Sequence, residues 1–68
     1  MTAAHLAEMT LENLTKANDS ADFLREELQA AHRNADAVES IVIMGLIEQA
    51  ATLANRITEL RGAIECRA

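Results

Sequence analysis

Two apolar repeats of seven residues run along the chain and meet at a short polar interruption. In the first, Ala7, Leu14, Ala21 and Leu28 recur at every seventh position, and Ala17, Leu24 and Ala31 follow the last three by three residues. That spacing returns to one side of an α-helix every two turns, so it predicts a helix with an apolar seam of the coiled-coil kind. The seam continues in register across Asn18, Asp19 and Ser20, so one helix is expected from about Thr2 to Arg33. A three-helix arrangement, with Asp19 or Ser20 capping a new helix, is the alternative.

The second repeat places Ile43, Ala50, Ile57 and Ile64 at one seam position and Leu46, Leu53 and Leu60 at the other. Between the repeats, Asn34 suits the left-handed residue that often ends a helix. Asp36-Ala37-Val38-Glu39 reads as a capping box, in which Asp36 accepts from the Glu39 amide and Glu39 reaches back to the Asp36 amide. His32 and Arg33 sit where the first helix ends negative. A turn at about 34–35 and a second helix over about 36–66 follow, each helix roughly 45 Å long at 1.5 Å per residue. Nearly equal helices on a short connection pack antiparallel, so the expected fold is all-α: one helical-hairpin domain over 1–68.

Apolar residues also fall outside the seams. Val38, Ile41 and Met44 lie away from Ile43 and Leu46, and Phe23 and Ala30 lie away from Leu24 and Leu28. A helix that is apolar on several sides is normally covered on several sides. Phe23, Val38, Ile41, Met44 and Gly45 are therefore the candidate interface for a second copy or another protein, and dimerisation into a four-helix bundle is the expected way to cover them. Gly45 costs roughly 1 kcal/mol relative to Ala inside a helix. A close helix contact, against Phe23 or Leu24, would justify it.

Composition narrows the picture. The chain has 68 residues, too few to bury a large core without a disulfide, a metal or oligomerisation. Cys66 is the one cysteine and makes no internal disulfide, and His5 and His32 stand at opposite ends of a hairpin, where surface positions are expected. Cys66 reads as a tolerated thiol, or as a bridge between chains if second helices pair in parallel. Oligomerisation, with the chain as its own first partner, is the remedy left.

The net charge of −5 opposes binding to nucleic acid or an anionic membrane, and the six Lys and Arg are scattered without aromatic residues for stacking bases. Ile41 to Ile47 is too short an apolar run to span a bilayer. With no signal-like segment in Met1 to Glu12, a cytoplasmic location without membrane contact is expected. Glu8, Glu12, Asp19, Asp22 and Glu26 form an acidic strip along the first helix. It is either an ordinary solvated face, with Glu12 and Lys16 forming one ion pair, or a surface that meets a basic partner. No nucleophile–base pair, phosphate-binding loop or metal cluster stands out, so neither catalysis nor a cofactor is expected.

The stretch Ala35 to Thr58, with Ser40-Ile41-Val42 leading into Leu46-Ile47-Glu48-Gln49-Ala50 and then Leu53-Ala54-Asn55-Arg56, resembles the helical tail of short pseudomonad proteins of uncharacterised function. In size, acidity and general plan the chain is similar to small phage-encoded helical proteins that inactivate host regulators, quorum-sensing antiactivators among them. The resemblance implies a small regulatory binder acting on a larger host protein of unknown identity, DNA-binding regulators being one class of candidate. The other reading is a structural or assembly subunit whose self-association is the function.

Overall fold

The computed structural model describes residues 2–67. It consists of two antiparallel helices, α1 (Ala3–Arg33) and α2 (Ala37–Arg67), packed against each other along their length as a hairpin. The result is a flat rod with extents of 52 × 15 × 11 Å.

Local chemistry accounts for each end. Thr2 caps α1 by accepting the His5 amide on its hydroxyl at 3.1 Å, and its carbonyl accepts the Leu6 amide at 3.1 Å. The helix runs unbroken through Asn18, Asp19 and Ser20, which excludes the three-helix alternative.

At the far end the expectation for Asn34 needs correction. Its φ of −107° and ψ of 0° are not left-handed, and no described non-glycine residue has a positive φ. The helix tightens instead: the Asn34 amide donates to the Ala31 carbonyl at 3.1 Å, and the Ala35 amide donates to that of His32 at 3.3 Å. The Asn34 side-chain amide also donates to the Ala30 carbonyl at 3.3 Å. These bonds satisfy terminal carbonyls without a left-handed residue.

The capping box forms as expected. Asp36 Oδ1 accepts the Glu39 amide at 2.8 Å, and Glu39 Oε2 accepts the Asp36 amide at the longer distance of 3.4 Å. The link is thus residues 34–36, one residue longer than the sequence suggests.

The seam between the helices differs from the expected one in half of its positions. Ala7, Leu14, Ala21 and Leu28 do face α2, and Ile43, Ala50, Ile57 and Ile64 face α1. Their companions are Leu11, Asn18, Arg25 and His32 on α1 and Ser40, Ile47, Ala54 and Arg61 on α2, all half-buried or buried. Leu24, Leu46, Leu53 and Leu60, expected in the seam, are 43–49% exposed, and Ala17 and Ala31 are exposed as well.

The physical reason lies in the small residues. Ala21, Ala50 and Ala54 are the buried apolar residues among those described, at 4–8% exposure. Side chains of that size let two helices approach closely, which a ridge of leucines would prevent. The helices therefore pack closest at Ala21, Ala50 and Ala54, the last brought inward by the rotation of α2, and leave the leucine row beside the contact.

Candidate functional site

A helical repeat with seven-residue spacing divides each helix into rows, and the seam fixes where each row points. The row one residue before the Asn18 row on α1 holds Ala3, Thr10, Ala17, Leu24 and Ala31. Its counterpart on α2 holds Glu39, Leu46, Leu53, Leu60 and Arg67. In an antiparallel pair these two rows flank the seam on the same broad face of the hairpin. Leu24, Leu28, Leu46, Gln49, Ala50 and Leu53 accordingly line one groove between the helices. Ala3, Ala4, Ala7, Ile64 and Arg67 line a second depression at the open end.

The opposite broad face is polar. There the flanking rows are Glu8, Thr15, Asp22 and Gln29 on α1 and Met44, Ala51, Thr58 and Glu65 on α2. Near mid-length an interhelical lock closes over the seam: Asn18 Nδ2 donates to the Ala54 carbonyl and to Thr58 Oγ1, both at 3.1 Å. Thr58 Oγ1 in turn donates to the Ala54 carbonyl at 3.0 Å. A polar side chain at one seam position, with its partners in place, fixes the register of two helices.

The acidic strip lies on the outer edge of α1 and its polar flank. Glu8, Glu12, Asp19 and Glu26 are exposed, and Asp22 is half-buried. The expected Glu12–Lys16 pair does not form. The ion pair among the described residues is Asp22 with Arg25 at 3.8 Å, long and with both side chains still partly in solvent, so it contributes little to stability. Arg61 has its guanidinium Nε buried without a hydrogen-bond partner.

The candidate interface residues separate into two edges. Phe23 is 61% exposed and, by helical phase, sits on the outer edge of α1. Val38 and Ile41, each 74% exposed, occupy the outer edge of α2 with Val42 and Gly45, while Met44 is exposed beside the polar face. All of these lie in the turn-proximal half, on opposite sides of the rod. Within the chain Gly45 is not in contact with Phe23 or Leu24, because a Cβ built there meets nothing within 4 Å. Its helical phase turns it away from α1. Both seams point away from the outer edge of α2.

The leucine face was half legible in the sequence. Its rows read as apolar, but seven-residue spacing assigns them to the hairpin's own contact. Among the described residues no group of three or more His, Cys, Asp or Glu is placed to hold a metal ion. Helix α2 is long and apolar enough, by length and composition, to cross a membrane, with a stretch of mean hydropathy 1.5. The same helix packs on the charged α1 and carries Glu39, Glu48, Glu59 and Glu65.

No family model, curated protein or solved structure matches the chain.

Proposed function

We propose that this chain works by binding other polypeptides, as a small dimeric regulator that modulates a larger host protein. The observation that carries this reading is what the hairpin leaves open. Among the described residues the buried ones are three alanines, whereas Leu6, Met9, Phe23, Leu24, Val38, Ile41, Val42, Met44, Leu46, Leu53 and Leu60 stand 40% exposed or more. Covering a side chain of that size stabilises by about 1.5–3 kcal/mol, which is large beside what a chain this short holds in reserve. A surface so rich in large apolar groups marks a site of association.

Two surfaces divide the work. The leucine face is broad and long, as a self-association surface needs to be. The edges near the turn offer separate anchors: Phe23 on one side, Val38, Ile41 and Val42 on the other, with Met44 adjoining. Large apolar anchors ringed by polar residues are what a partner's hot-spot pockets accept, and the acidic strip beside Phe23 favours approach to a basic partner.

The test is capture of partners by the tagged chain from a nuclease-treated bacterial lysate, beside Phe23→Ala and Ile41→Asp variants. A stoichiometric protein retained by the unmodified chain and lost with the variants supports the reading, provided circular dichroism reports both variants helical. Equal retention by both variants sinks the assignment of anchors. Recovery of the chain alone, in large or open-ended assemblies, favours the second reading, an assembly subunit. That reading draws on the presence of apolar groups on both edges as well as on one face.

A further inference from the structure

We infer that the leucine face is occupied by a second copy of this chain, set antiparallel about a two-fold axis that passes beside Leu53 and Ala17. The inference rests on the reading of the chain as a protein-binding hairpin and specifies one of its surfaces.

The first argument is size. The hairpin is 52 Å long and 15 Å wide, a face on the order of 800 Å², about what each partner contributes to a stable protein interface. The second is one-sidedness. Leu24, Leu46, Leu53 and Leu60 project on this face, whereas Glu8, Asp22 and Glu65 mark the opposite one beside Met44, so of the two broad faces this one offers an occupant the larger apolar burial.

The third argument selects a second copy and its orientation. The register that sets Ala3 beside Arg67 and Leu24 beside Leu46 puts Ala17 level with Leu53. Consider two copies face to face with their turns at opposite ends. On α2 the row then pairs Leu53 with Leu53, Leu46 with Leu60, and Glu39 with Arg67 of the other copy. On α1 the same axis pairs Ala17 with Ala17, Thr10 with Leu24, and Ala3 with Ala31.

One axis therefore serves both helices. It stacks leucine on leucine along one side, lets the alanines approach along the other, and sets the two charged ends of the face against opposite charges. Such end charges add little affinity but select orientation. A copy docked with both turns at one end forms neither Glu39–Arg67 pair. It sets Leu53 against an alanine and stacks leucine on leucine only at Leu24 and Leu46.

The native chain carries the probe for this arrangement, because Cys66 is its sole cysteine and is exposed. Cys66 lies 13 residues beyond Leu53, about 20 Å along the helix from the axis. A spin label on Cys66 of the unmodified protein is expected to report a separation of about 40 Å between copies, and a dimer by sedimentation equilibrium. In addition, Leu53→Asp is expected to raise the dimer dissociation constant at least a hundredfold. Glu39→Arg is expected to weaken the dimer several-fold, with recovery on adding Arg67→Glu.

A dimer with its Cys66 labels within about 15 Å, less than half the expected separation along the helices, overturns the antiparallel arrangement. A helical monomer at hundreds of micromolar overturns the second copy as occupant. Flotation of the unmodified chain with phosphatidylcholine vesicles does so too, in favour of a bilayer. In the monomer case, capture of a partner in an Ile41-dependent manner still decides the binding function separately.

Discussion

Asn18 Nδ2 stands 3.1 Å from Thr58 Oγ1, across the seam and near the middle of both helices. The same amide reaches the Ala54 carbonyl, so one side chain of α1 holds a backbone group and a hydroxyl of α2 together. Apolar seam residues resist separation of the helices but tolerate sliding. This lock opposes sliding, because a shift by one turn leaves the amide without either acceptor.

Asn18→Ala is expected to destabilise the hairpin by about 1–2 kcal/mol, the worth of two hydrogen bonds and a partly desolvated carbonyl. Thr58→Val is expected to cost less, under about 1 kcal/mol, since Asn18 still reaches the Ala54 carbonyl. Urea denaturation of both variants beside the parent measures the difference. Equal losses would mean that the hydroxyl, not the carbonyl, is the main acceptor.

Removing the turn's cap tests the link. Asp36→Ala takes away the acceptor of the Glu39 amide at 2.8 Å and is expected to cost about 1 kcal/mol. Glu39→Ala breaks the longer of the two bonds and is expected to cost less. A thermal melt followed by circular dichroism orders the two, and the reverse order would contradict the geometry.

At Gly45, open space predicts a gain. Gly45→Ala adds a methyl group where nothing lies within 4 Å and raises helix propensity, for an expected stabilisation of up to about 1 kcal/mol. A lowered melting midpoint would mean that the outer edge of α2 is packed against another chain in solution. Capture of the partner by this variant would then fall together with its stability.

Arg61 offers a stabilising change of another kind. Its Nε is buried without a partner while its stem fills a seam position. Replacement by Met keeps the stem and removes the unpaired donor, with an expected gain of about 1 kcal/mol in denaturant unfolding. A loss would show that the guanidinium makes a contact worth more than its desolvation.

The elements and their ends were readable in the sequence because the information is local. Thr2, Asp36 and Glu39 act on backbone groups three residues away, and the continuous seven-residue repeat decided for one helix across Asn18 to Ser20. The rotation of the helices about their axes was not readable.

On α1 the leucine row, with Ala17, Leu24 and Ala31, is more apolar than the true companion row, which holds Asn18, Arg25 and His32. Both rows flank Ala21 and Leu28. Periodicity finds the stripe, but it does not say which half of a wide stripe meets the nearest neighbour. Close approach through Ala21, Ala50 and Ala54 and the reach of Asn18 decide that, and both are properties of the packed pair. The candidate anchors divided for the same reason: spacing sets Phe23 and Ile41 outside the seams, and only the pairing assigns them to opposite edges.

The link of residues 34–36 also governs how the molecule assembles in time. Leu28 and Ile43 lie close to the turn and meet after closing a short loop, whereas Ala7 and Ile64 close one that includes most of the chain. Entropy favours the short closure, so zipping starts at the turn and travels outward. The Asn18–Ala54 bond, 36 residues apart in sequence, falls midway along that path. A misaligned pair of helices meets this checkpoint while half the rod is still open and free to try again.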